Sequence, residues 1–317
     1  EFGWHLLDSG ALYRLLACAA QRDGAGLDDA TALADLAGRI EGEFTVTPDG
    51  TEVVLLDGAD VTDVLRTEAT GNAASRLAAL PEVSKVTLDA TVSAPVAEVS
   101  ATSAPEWNLD AIGVPELWNA GYDGSGILIA GMDTGVDADH PELAPNWRGG
   151  ANSWFDPNGE HSTPYDASGH GTQTMGLMVG GDLDGTAIGV APGAQWIAVK
   201  IFNDAGFASI SGIHQGFQWL LDPDDNPDTD DAPDVVNNSW GFPDLVGQCY
   251  LEFNADIQML KTAGIAVVFS AGNQGSLGSE SPADNPDAFA AGAVDASLAV
   301  ASSSSRGPSS CDGTIFP

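Results

Sequence analysis

Ile127-Leu128-Ile129-Ala130-Gly131-Met132-Asp133-Thr134-Gly135 reads as a buried strand that stops on an acid and a tight turn. An apolar run without alternation predicts a strand covered on both faces, the pattern of a parallel sheet and not of a half-exposed antiparallel one. Asp133 then falls just outside the carboxyl end of that strand, where open α/β sheets bind their ligands. Working outward, further strand segments are expected at Trp196–Phe202, Val235–Val236, Ile265–Phe269 and Ala288–Val294. Helix-forming stretches at Thr172–Val179, Ser209–Leu221 and Glu252–Ala263 lie between them. This alternation predicts an α/β fold, a parallel sheet with helices on both faces.

Three further blocks carry chemistry. In Asp166-Ala167-Ser168-Gly169-His170-Gly171-Thr172 a histidine stands between two glycines at a helix start, which keeps its imidazole accessible. His140, His161 and His214 lack that setting and read as structural or surface residues. Val235-Val236-Asn237-Asn238-Ser239-Trp240-Gly241 ends a strand on a glycine turn. Phe269-Ser270-Ala271-Gly272-Asn273 ends another, and an Asn there either forms the turn or aims its amide at a developing oxyanion. Asp-Thr-Gly also belongs to aspartic peptidases. Those enzymes need two such carboxylates on a largely β frame, whereas this chain has a single Asp-Thr-Gly in an α/β pattern.

Taken in order, Asp133, His170 and Asn273 with their flanks resemble the subtilase family of serine peptidases, bacillopeptidase F-like members above all, over Trp107 to Pro317. The resemblance implies an incomplete subtilisin-like parallel sheet over residues 106–317. It also implies that His170 takes the proton of a nucleophilic serine, that Asp133 orients the imidazole, and that Asn273 holds the oxyanion with a backbone N–H. Ser239, Trp240 and Gly241 on one side, with Ala205 and Gly206 on the other, would line a cleft that pairs with an extended polypeptide substrate by β-augmentation. Gln173 stands where the family usually carries a second histidine. The family's Gly-Thr-Ser-x-Ala segment does not occur in the 317 residues, so the expectation is a serine endopeptidase truncated before its nucleophile and without turnover as it stands. A non-catalytic peptide-binding remnant is the alternative.

No cofactor is required by such chemistry. A structural Ca²⁺ is one reading of the acidic run Asp222–Asp231, and a solvated loop is the other, since the run lacks the Gly and terminal Glu of an EF-hand. The family's extracellular setting would let Cys249 pair with Cys311, while Cys18 sits on an apolar helix face as a core residue.

Residues 1–80 differ in character. Trp4–Leu7 predicts a strand, Ala11–Ala20 and Asp28–Ile40 predict helices, and Phe44–Val46 with Val53–Leu56 predicts a hairpin around Pro48-Asp49-Gly50. Trp4-His5-Leu6-Leu7-Asp8-Ser9-Gly10-Ala11-Leu12-Tyr13-Arg14, with Asp60-Val61-Thr62 and Leu65-Arg66-Thr67, resembles the front of a bacterial cytidylate kinase. That resemblance implies nucleotide contacts from Ser9 and Arg14; read without it, Ser9 caps a helix and Arg14 lies on its surface. None of Lys85, Lys200 and Lys261 follows a glycine, so no phosphate-binding Gly-Lys-Ser/Thr loop is present in these residues. This small mixed α/β fragment is followed at 81–105 by a stretch similar to the last strand of a subtilase propeptide and by an Ala/Ser/Thr/Pro-rich segment that reads as an exposed linker or processing region.

Ten Lys and Arg against 46 Asp and Glu leave a formal charge of −36, which argues against nucleic acid or anionic membranes as partners. No run of 18 apolar residues occurs. The chain opens at Glu1 with no basic segment followed by an apolar run, so any export signal would lie outside these residues, and a secreted location and a monomer are expectations carried by the family resemblance alone.

Overall fold

The computed structural model describes residues 9–46, 52–65, 67–78, 89–95, 107–183 and 185–315. The chain divides into two compact units, Glu1–Asp89 and Ala90–Pro317.

In the first unit, helices α1 (Ser9–Asp23) and α2 (Ala30–Ala37) precede strands β1 (Gly42–Val46), β2 (Glu52–Leu56) and β3 (Ala59–Asp60), then helices α3 (Thr62–Leu65) and α4 (Glu68–Ala78). Leu15, Leu16 and Ala19 recur at helical spacing on α1 and bury against Leu33, Leu36, Leu56, Leu65 and Leu77. Cys18 is buried and free. Helix α2 is shorter than its apolar pattern predicts because Asp29 caps it, accepting from the Ala32 N–H at 3.0 Å, and Gly38 closes it. Strands β1 and β2 form the antiparallel hairpin, pairing Gly42 with Leu56 and Val46 with Glu52. The Trp4–Leu7 strand and the Pro48-Asp49-Gly50 turn lie outside the described residues.

The second unit opens with β4 (Thr91–Ser93) and two short helices, α5 (Trp107–Ala111) and α6 (Val114–Asn119). Next come β5 (Leu128–Asp133), β6 (Trp154–Phe155), α7 (His170–Val179), β7 (Gln195–Lys200) and β8 (Phe207–Ser209). Helix α8 (Ile210–Leu221), β9 (Val235–Asn238), α9 (Asn254–Thr262), β10 (Ala266–Ser270) and β11 (Phe289–Ala291) complete it. Its main sheet has the order β11-β10-β9-β5-β7-β6, with each of these pairs parallel. Alternation along the strands explains the unbroken apolar runs. Ala130 and Met132 of β5, with Ile197 and Val199 of β7, face the core that holds Ile213 and Phe217 of α8 and Ile257 of α9. Their neighbours Ile129, Trp196 and Ala198 face the other core, which holds Met175 and Val179 of α7. Both faces are therefore dry, as a parallel sheet requires.

Residues 91–93 depart from the exposed linker expected there. They pair antiparallel with β8, Val92 opposite Ala208, and Ala94 N–H donates to the Gly206 carbonyl at 2.6 Å. Val92 buries its side chain in the core of α8. The stretch has too little periodicity to signal a strand by itself, because its partner edge lies more than a hundred residues away.

Candidate active site

Asp133 ends β5 and His170 opens α7, so the geometry depends on how the Asp-Thr-Gly turn meets the helix start. A Cβ at Gly171 would collide with the Gly135 carbonyl oxygen, and one at Gly135 with the Tyr165 carbonyl oxygen. Gly135 also has a φ of +114°, a backbone that glycine alone adopts without strain. The two backbones touch, which brings His170 Nδ1 to 2.7 Å from Asp133 Oδ1.

Asp133 is 2% exposed, and the same Oδ1 accepts the Thr134 N–H at 2.7 Å. Burial pushes its carboxyl up, against the opposing pull of the His170 hydrogen bond and charge. Burial of His170 would lower its own pKa, yet the hydrogen bond and charge of Asp133, helped by Asp166, raise it above the ordinary imidazole value. A histidine whose Nδ1 side is fixed by a buried acid presents its other nitrogen as a base.

Two residues given no role by the sequence reading hold this pair in place. Asp166 Oδ1 accepts from Thr134 Oγ1 at 2.9 Å and from Gly169 N–H at 2.9 Å, while Oδ2 accepts from Thr172 N–H and Oγ1. It caps α7 from outside and ties the helix to the Asp133 turn; Thr134 Oγ1 in turn accepts the Gly171 N–H. An acid four residues before a helix-opening histidine is the signal that could have found it. Lys200, opposite Asp133 in the sheet, is fully buried and donates from Nζ to the carbonyls of Thr134 at 3.2 Å and Phe202 at 2.6 Å. Its Nζ also pairs with Asp204 at 3.2 Å. Nothing in an apolar strand run foretells a satisfied buried ammonium.

Strand β9 lies between β5 and β10, so the residues after all three reach one edge of the sheet. Ser239, half-buried, accepts from Asn237 Nδ2 at 3.0 Å. Asn273 is exposed at the turn after β10. Ala205 is exposed in the turn between β7 and β8, and the Gly206 carbonyl accepts the Ala94 bond already described. The indole of Trp240 is buried among Phe217, Phe242, Phe253 and Phe269, so only its main chain can face a peptide, as pairing by β-augmentation requires. An aromatic after a strand packs inward because that position alternates toward the core.

In the first unit Arg14 donates from Nη1 to the Leu65 carbonyl at 2.9 Å, so its guanidinium braces α1 against α3. Ser9 opens α1, and its side chain lies outside the described residues. Cys249 and Cys311 are joined by a disulfide across a Cα separation of 4.6 Å. Asp222, Asp224 and Asp231 bring carboxylate oxygens within 4.8 Å of one another, as do Glu160 and Asp204 with a His161 nitrogen. Asp231 is already held by Asn152 Nδ2 at 2.8 Å and by Arg148 on its carbonyl at 2.7 Å.

A parallel α/β sheet thus carries a buried acid on one strand end, a helix-opening histidine against it and an Asn turn two strands away. The subtilase family model matches residues 124–317, more than half of the chain, and the chain belongs to that family. A cytidylate kinase family model matches residues 1–94. Bacillopeptidase F of Bacillus subtilis is 40% identical over 233 residues, 68% of this chain and 16% of its own length. Subtilisin E of Bacillus subtilis is 36% identical over 217 residues, 67% of this chain and 52% of its own. M-protease of Shouchella clausii is 31% identical over 274 residues, 85% of this chain and 66% of its own. The chain thus spans about half the length of subtilisin E and less of bacillopeptidase F.

Proposed function

We propose that residues 106–317 carry the acid–base half of a serine endopeptidase, with His170 as general base, Asp133 as its orienting acid and Asn273 as an oxyanion donor. The observation that carries this reading is the 2.7 Å contact between His170 Nδ1 and buried Asp133 Oδ1. In the reaction, His170 Nε2 takes the proton of a serine hydroxyl as its oxygen attacks the peptide carbonyl. The imidazolium so formed is stabilised by Asp133 and returns the proton to the leaving amine. The nucleophile proposed for this reaction is the serine of a Gly-Thr-Ser-x-Ala segment, which these 317 residues do not contain, and no turnover is expected from them without it.

The pairing of Thr91–Ala94 with Phe207 and Gly206 supports an edge that accepts an extended peptide, and hence polypeptide substrates. A secreted monomer is proposed with it; the Cys249–Cys311 disulfide suits an oxidising compartment. Among the described residues no helix is long and apolar enough to cross a membrane. A structural Ca²⁺ at Asp222, Asp224 and Asp231 is a further element of the proposal, and calorimetric titration with Ca²⁺ would register its heat.

Two measurements test the catalytic roles. By NMR, Asp133→Asn in the present chain lowers the His170 imidazole pKa by about one pH unit or more. When the chain is extended through the Gly-Thr-Ser-x-Ala segment of a subtilase, peptide hydrolysis appears and His170→Ala abolishes it. Specific proteolysis by the purified 317-residue chain, or hydrolysis indifferent to His170→Ala, refutes the assignment.

A further inference from the structure

Glu280 is 6% exposed and lies where the β9 and β10 edges meet. Its Oε1 accepts the main-chain N–H of Asn273 at 3.1 Å, and the Gln274 side chain bonds to the same carboxylate. A Cβ added to Gly272 would collide with this carboxylate, and one added to Gly241 would lie 3.0 Å from Oε2. The acid therefore fills the slot between two glycines, one following Ser239-Trp240 and the other preceding Asn273. Main-chain bonds fix it there: Phe242 N–H donates to the Ser281 carbonyl at 3.0 Å and Gly247 N–H to that of Ser279 at 3.2 Å. Among the described residues no Lys, Arg or His pairs with it.

A buried carboxylate held by neutral donors and lacking a cation retains a large part of its desolvation cost. A cation arriving with a ligand would recover it, most completely a guanidinium, whose planar fork bonds a carboxylate in two places. We infer that Glu280 is a specificity-determining residue of the peptide cleft, and that it selects an Arg or Lys side chain on the residue whose carbonyl is to be attacked. That residue is singled out because Glu280 bonds to the main chain of Asn273, the group proposed to face that carbonyl. The formal charge of −36 on the whole chain adds a general attraction for cationic peptides. This inference rests on the peptidase reading.

The competing account makes Glu280 only a brace for the Gly272-Asn273 turn. Glu280→Gln separates the two, because an amide keeps the oxygen that accepts the Asn273 N–H and removes only the charge. Calorimetry on the 317-residue chain would compare the peptide amides Ala-Ala-Pro-Arg and Ala-Ala-Pro-Phe. The expected result is binding of the Arg peptide about tenfold tighter than the Phe peptide, with the preference lost in Glu280→Gln. Equal or tighter binding of the Phe peptide by the unaltered chain overturns the inference whether or not the variant folds. So does an Arg preference that survives in a folded Glu280→Gln protein. Binding of neither peptide, both by the unaltered chain and by a Val92→Asp variant in which Thr91–Ser93 no longer dock on the β8 edge, refutes the peptide cleft itself and the inference with it.

Discussion

The two units spend their polar side chains differently. In Glu1–Asp89 the buried polar residue among those described is Thr70, whose hydroxyl is satisfied within a few residues by the Val64 carbonyl and Thr67 Oγ1. In Ala90–Pro317, Asp133, Lys200, Glu280 and Asp284 are all buried with charge-bearing side chains. A core of Leu and Ala is stable without further arrangement, whereas a buried charge survives only where remote groups have been brought to meet it. The second unit therefore holds more of its stability hostage to positions that serve a site. The same contrast explains why Arg14, named for nucleotide contact, bonds a carbonyl in its own unit, while His170 keeps one nitrogen unused by Asp133.

The largest effect that would break this comparison is at the glycines. Gly135→Ala pushes a methyl into the Tyr165 carbonyl at a φ of +114° and is expected to cost about 3 kcal/mol, read as a fall in the urea midpoint of the second unit. Gly58→Ala in the first unit, at a φ of +76° with open space around it, should cost about 1 kcal/mol. Equal losses would show that the site imposes no special packing.

His214 offers a smaller effect. The Asp256 hydrogen bond at 2.9 Å raises its pKa, partly offset by burial, and Glu252 adds to the rise. A raised folded-state pKa means that its contribution is fully present below the unfolded value of about 6.5 and is lost as pH rises through the folded one. Denaturation midpoints should therefore fall between the two values in the parent chain and fall less in His214→Gln. His170, raised in the same direction, contributes the slope that remains. Smallest of all is Arg76→Ala, which removes the exposed pair with Asp28 in the first unit and should leave the midpoint unmoved.

Much of the fold was legible because its signals are local. The run ending at Asp133 has the apolar continuity of a doubly covered strand, Ser209 caps α8 by accepting from Gly212 N–H, and the alternation of helices and strands gave the parallel sheet. Asp133 and His170 were legible for a related reason, since strand ends and glycine-flanked helix starts are written in consecutive residues. The direction of the Trp240 ring was not legible, because a strand-end position by itself does not say which face its side chain takes.

By itself the sequence determined the order of the main strands and helices of the parallel sheet, the places of Asp133 and His170 at a strand end and a helix start, and the presence of two unlike parts. Only the tertiary structure decided that Asp166 ties α7 to the Asp133 turn, that Lys200 is buried beneath it, that residues 91–94 occupy the β8 edge and that Glu280 faces Gly241 and Gly272. Backbone preferences and side-chain periodicity act over a few residues and leave their mark in short stretches of sequence. The burial of a charge, or the filling of a sheet edge, depends on which distant N–H, carbonyl or strand arrives beside it, and that is set only when the chain has folded.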